Sequence, residues 1–233
     1  MRKSFLLPLL CSLLLGGCAS LKADRKVEGN SFSSTYPESE KESMKIASVP
    51  EGTAKVSLRT EPKKLLEEDI RTMLARYDFY DGDFNRRGSF ANDFVDSGWG
   101  TITDNATGLM WQKTGSSRTR TWARAQEYVE GLNKYEFAGY SDWRLPTIEE
   151  FASLLDRKKI NGVHIDPVFD STQKTCWSAD ANPTSTIRIS GYEGWIVKFA
   201  EGIITQDMWV VSRIPYHGYE SISWYIRAVR SVK

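Results

Sequence analysis

Between Glu61 and Arg76, the apolar residues Leu65, Leu66, Ile70, Met73 and Leu74 recur close to every fourth position. This is the stripe of an amphipathic helix, and Pro62 suits its first turn. From Thr121 to Asn133, Trp122, Ala125, Val129 and Leu132 fall at i, i+3, i+7 and i+10, one face of a second helix. A third is predicted from Thr147, whose hydroxyl can cap while Glu150 reaches back, with Ile148, Phe151, Ala152 and Leu155 following on one face. Elsewhere beyond Val95, turns and short strands dominate. After Asp156 the pattern is wholly β: Trp195 to Phe199, a turn at Ala200-Glu201-Gly202, Ile203 to Gln206, and finally Ser223 to Val229. Two helices followed by a run of antiparallel strands predict an α+β fold.

The first sixty residues follow neither period. Arg2 and Lys3 precede an apolar run from Ser4 to Leu15, too short to span a bilayer, which needs roughly 20 residues. Residues 1–17 therefore read as a secretory signal. Leu15-Gly16-Gly17-Cys18 resembles the bacterial lipobox, whose cysteine receives a diacylglycerol and becomes the new N-terminus. The resemblance implies a lipidated Cys18 carrying two or three acyl chains, palmitate among them, and hence a membrane partner. Ala19 after that cysteine, where Asp would signal retention, favours the outer membrane. Residues 18–60, rich in Ser, Glu, Lys and Thr, are expected to be a disordered tether with an r.m.s. span of about 35 Å. The expected organisation is then signal 1–17, lipidated tether 18–60, amphipathic helix and connector 61–93, and a head over 94–233.

Charge and cysteine count narrow the chemistry. With 31 Lys+Arg against 30 Asp+Glu, nothing favours condensation on a nucleic acid. Cys11 leaves with the signal and Cys18 takes lipid, so Cys176 has no intramolecular partner and is expected to be buried and inert. Asp81, Asp83 and Asn85 are spaced like the start of a calcium loop. Arg86 and Asn92 stand where an EF-hand requires Gly and Glu, so the stretch reads as a connector with packed aromatics and solvated carboxylates. The only histidines, His164 and His217, are 53 residues apart and have no metal-site spacing. No cofactor and no catalytic constellation is expected. Trp209, Arg213, Tyr216, His217 and Tyr219 crowd one Gly- and Pro-containing stretch, and Arg188 can join them from another loop. They form either a ligand-binding surface, since amphipathic rings and Arg dominate binding hot spots, or a partly buried loop.

Three stretches carry a family likeness: Thr103-Asp104-Asn105-Ala106-Thr107-Gly108-Leu109-Met110-Trp111-Gln112-Lys113, Gly139-Tyr140-Ser141-Asp142-Trp143-Arg144-Leu145-Pro146-Thr147, and Tyr225-Ile226-Arg227-Ala228-Val229-Arg230. Over about Phe94 to Val232 the chain resembles the Lcl C-terminal domain family, a domain of unknown function. The resemblance implies a C-type-lectin-like head with two helices and a twisted antiparallel sheet. Its Trp-Arg-Leu-Pro-Thr segment is shared with the formylglycine-generating-enzyme group, in which active-site cysteines do the chemistry. Cys176 alone does not match that arrangement. The triplet Ala181-Asn182-Pro183 also departs from the Glu-Pro-Asn or Gln-Pro-Asp of calcium-dependent lectins. Where the family often carries a cysteine pair, this chain has Val129 and Ala228, so packing is expected to replace a crosslink. Two classes stay open: a cell-surface module binding a glycan or protein partner, and a structural envelope lipoprotein with no soluble ligand.

Overall fold

The computed structural model describes residues 56–181, 193–208 and 222–232. They form an α+β fold with helices α1 (Glu67–Tyr77), α2 (Trp122–Lys134) and α3 (Ile148–Ser153). The strands are β1 (Phe94–Gly98), β2 (Thr101–Asp104), β3 (Leu109–Gln112), β4 (Thr175–Ala181), β5 (Glu193–Lys198), β6 (Ile203–Met208) and β7 (Val229–Ser231). The expected single sheet is in fact two antiparallel sheets, ordered β1-β2-β3-β7 and β4-β5-β6. The C-terminal chain joins them. Tyr225 bridges Cys176 of β4, and four residues later Val229 pairs with Trp111 of β3. This crossing corrects the strand expected over Ser223–Val229, because a chain passing from one sheet to the other cannot stay in one ladder.

Two helix starts obey local capping. The Thr121 hydroxyl accepts the Arg124 N–H, and the Thr147 hydroxyl accepts the Glu150 N–H while Glu150 reaches back to the Thr147 N–H. The first helix departs from its pattern: it begins at Glu67, and Pro62 lies outside it. The preceding residues are recruited by β4 instead. Leu65 N–H donates to Ala181 O, Ala181 N–H to Lys63 O, and Lys63 N–H to the Asp180 carboxylate. Folded structure also reaches past Thr60 toward the N-terminus, since Leu58 is buried and Val56 N–H donates to Ala106 O. Residues 56–93 thus pack on the head.

The core has two parts. Trp111, Phe151, Trp195, Phe199, Ile70 and Phe79 belong to the larger, which brings α1 and the connector into the same apolar interior. Trp143, Trp177, Leu132, Ile226, Val129 and Ala228 belong to the smaller. Val129 and Ala228 thus share one buried cluster, as the likeness implied. No described helix is long and apolar enough to cross a membrane.

Candidate functional site

The corner Trp143-Arg144-Leu145-Pro146-Thr147 is framework. Asn133 clamps it from α2, its Oδ1 accepting the Trp143 N–H at 2.7 Å and its Nδ2 donating to Trp143 O at 2.8 Å. The Trp143 indole N–H donates to Phe137 O at 2.9 Å, and Arg144 pairs with the buried Glu150 carboxylate. Beside it, the fully buried Asp180 carboxylate accepts four donors: both Arg59 Nη atoms, Lys63 N–H and Ile148 N–H, the last at the start of α3. A buried carboxylate is tolerable only when its lone pairs are used this fully.

Arg227, in the closing motif, is also fully buried. It is held by Gln112 O, Lys113 O, Asp170 O and Gln173 Oε1, with its guanidinium 5.0 Å from the Phe169 ring centre. Burial lowers its pKa, and the four acceptors carry the charge in place of a carboxylate. Cys176 lies at the base of the same region with its thiol against Gln173 O. Burial pushes that thiol up to about 12, so it stays protonated and has neither the ionisation nor the access of a nucleophile.

The acidic connector is likewise tied down. The Asp81 carboxylate, expected to face water, is buried and accepts N–H groups of Asp83, Phe84 and Ile204, which fixes the connector to β6. Burial raises its pKa and the three backbone bonds oppose that rise. His164 stacks on Tyr80, with ring centres 5.6 Å apart, and its Nδ1 meets Asp156 O at 2.9 Å, the satisfied loop histidine that its context suggested. Gly202 is required opposite it: φ is +74°, and a Cβ there would come within 2.7 Å of the His164 ring.

Two clefts open between these elements. One, of about 360 Å³, lies between the connector and the end of α3, lined by Tyr80, Asn92, Phe94, Asp156 and Asp166. The other, of about 400 Å³, lies where residues 57–65 meet α1, lined by Leu58, Arg59, Lys63, Arg76 and Glu149. The Ser89 hydroxyl at the first donates to the Asp78 carboxylate, and neither cleft is lined by Cys176 or His164. Among the described residues no group of three or more His, Cys, Asp or Glu could hold a metal ion.

Trp209, Arg213, Tyr216, His217, Tyr219 and Arg188 lie outside the described residues, as does Cys18. What the described residues do fix is where the chain leaves and re-enters around them. Segment 182–192 starts after Ala181 and ends before Glu193; segment 209–221 starts after Met208 and ends before Ile222. Register pairs Ala181 with Gly194, Gly194 with Asp207, and Glu193 with Met208. The Trp224 indole then donates to Asp207 Oδ2 at 3.1 Å. All four attachment points therefore meet at one end of the β4-β5-β6 sheet. Two half-buried tryptophans flank that end: Trp224, bridged to Arg120, and Trp122, whose indole N–H donates to Ser178 O. Sequence reasoning assigned both to element faces. The available signal was their position beside the two long connections, which pairing alone reveals.

The family model of the Lcl C-terminal domain matches residues 100–230. No curated protein and no solved structure matches the chain.

Proposed function

Because the chain belongs to the Lcl C-terminal domain family, we propose that it is a cell-envelope lipoprotein, held in the outer membrane through Cys18, whose head is a non-catalytic binding module for a glycan or protein partner. The observation that carries this reading is the sheet end where both long connections begin and end, one containing Arg188 and the other Trp209, Arg213, Tyr216, His217 and Tyr219. Connections rich in hot-spot residue types and attached at one end of a sheet can supply a contact surface without any catalytic apparatus. The buried, protonated Cys176 and the tied His164 support a role other than catalysis.

Fatty-acid metabolic labelling tests the anchor. Label should appear on the wild type and vanish in Cys18→Ser, and equal label in both would refute lipidation. A glycan array and crosslinking on intact cells test the head. Binding that is lost in the Arg213→Ala, Tyr216→Ala double variant supports the module; a chain that captures neither glycan nor protein is a structural lipoprotein instead.

A further inference from the structure

Positive charge gathers where α2 begins. Arg118 and Arg120 precede the helix, Arg124 stands in its first turn, and that turn contains no carboxylate. The other two helices do the opposite: α1 opens on Glu67, Glu68 and Asp69, and α3 on Glu149 and Glu150. Carboxylates are stabilising at a helix N-terminus and cations are not, so the arginines run against the local electrostatics. A rule kept at two helices and broken at the third asks for a compensating gain.

Arg120 is the member of this cluster that the fold shields. Its backbone is fixed from both sides, N–H donating to Trp224 O at 2.8 Å while O accepts the Trp224 N–H at 3.0 Å and the Trp177 indole N–H at 2.7 Å. Its half-buried guanidinium lies 5.5 Å from the Tyr128 ring centre, and its Nε is buried without an acceptor. The other shielded arginines among the described residues all have partners. Arg59 pairs with Asp180, Arg144 with Glu150 and Arg230 with Asp142, and Arg227 is held by carbonyls. Arg120 has no carboxylate or hydrogen-bond acceptor among the described residues, because the nearby Glu127 is paired with Arg124. Burial, and after it the Arg118 charge, lowers the Arg120 pKa. A guanidinium shielded from water with nothing to accept its N–H groups leaves its desolvation uncompensated within the fold.

We propose that Arg120, with Arg118 beside it, is an ion-pairing site for a carboxylate on an acidic segment of a protein partner. The inference rests on the binding-module reading above, of which it selects the protein branch, and it is carried by described residues alone. The planar guanidinium fork matches a carboxylate, and a fixed backbone with a ring beneath it holds the fork ready, so little side-chain freedom is lost on pairing. Trp122, two residues on, and Trp224, bridged to Arg120, stand half-buried at the same sheet end, and Trp with Arg is the pairing of types that dominates protein hot spots. A long polyanion fits less well. The arginines form a short cluster rather than a track, Glu127 already neutralises one of them, and the whole chain has a formal charge of +1.

The test is an NMR titration of the full-length chain, read at the Arg120 Nε–Hε signal. The probe is acetylated tetraglutamate amide, with the tetraglutamine peptide as its neutral twin, both at fixed ionic strength. Tetraglutamate should move the signal saturably and tetraglutamine should not. In fluorescence anisotropy with the labelled probe, Arg120→Gln should weaken binding about tenfold and the exposed Arg118→Gln about threefold, each melting with the wild type. A signal that stays in place, or that moves equally with added sodium chloride, overturns the site. Dextran sulfate moving the signal where tetraglutamate does not assigns the charge to a sulfated polysaccharide and overturns it too. Should Arg120→Gln melt low, the wild-type signal and Arg118→Gln still decide, and probe binding unchanged in Arg118→Gln with a silent Arg120 signal overturns the proposal. Crosslinking on intact cells separates the site from the module. A partner captured equally by wild type and Arg120→Gln refutes the site and keeps the module, whereas no capture by either refutes the module itself.

Discussion

Trp143 and Trp99 both sit at turns, yet one is 2% exposed and the other 43%. The Trp143 ring meets Phe137 edge-on at 5.5 Å, its indole N–H has an acceptor, and Asn133 bonds both of its backbone groups. Trp99 has positive φ between two glycines that share it. At Trp143, burial and bonding pull the same way, and the corner launches α3 toward the Asp180 clamp. At Trp99, the backbone takes the positive φ of the two-residue hairpin turn and the ring stays partly open to solvent. The difference separates the framework of this head from the surfaces it has available for contact, although both sites are marked by the same residue type.

The comparison breaks most visibly at the framework. Trp143→Ala should cost about 3–5 kcal/mol of folding free energy, lowering the melting temperature by roughly 6–20 °C. A shift of a degree or two in calorimetry would mean that the corner is not a core anchor. Asp180→Ala leaves Lys63 N–H and Ile148 N–H without their acceptor and Arg59 with only Glu61 O and Glu149 for its guanidinium. Loss of about 2–4 kcal/mol is expected in urea titration, with Asp180→Asn intermediate.

Cys176 sharpens the same side through pH. Its thiol rises from an ordinary value of 9.0 to about 12 in the folded state, so the stability it contributes is complete below pH 9 and is lost as pH climbs toward 12. At pH 10.5 the wild type should have lost about 2 kcal/mol relative to Cys176→Ala, and a thiol reagent at pH 8 should label the native protein only on unfolding. Fast labelling of the native protein would show a thiol open to solvent. The smallest effect belongs to the β1–β2 turn: Trp99→Gly should leave stability within about 1 kcal/mol of wild type, strain relief being balanced by the greater freedom of the unfolded chain.

Much of the framework was legible because its signals are local. Thr121 and Thr147 cap the helices that their positions predicted, and Ala200-Glu201-Gly202 turns between β5 and β6. What escaped is long-range. Residues 63–66 were read as helix because their apolar spacing permits it, but β4 lies across them and takes their N–H groups, 116 residues away in the case of Leu65 and Ala181. The crossing of residues 222–228 between two sheets has no periodic signature, and neither does a buried Arg227 whose Nη atoms are held by carbonyls rather than by a carboxylate. The candidate contact residues from Trp209 to Tyr219, with Arg188, could be picked out by type. That their connections share one sheet end follows only from the register of β4, β5 and β6. Trp99 was readable in principle, since a tryptophan between two glycines is an unusual turn, but the positive φ that gives it meaning is a property of the folded hairpin.

The separation of framework from contact surface is tested most directly by measuring melting and partner binding on the same full-length chains: wild type, Trp143→Ala, and the Arg213→Ala, Tyr216→Ala pair. The account predicts that the double variant melts with the wild type while its affinity for the partner falls by about 1–3 kcal/mol, and that Trp143→Ala melts far lower. A double variant that melts like Trp143→Ala, or one that keeps full affinity, would contradict it.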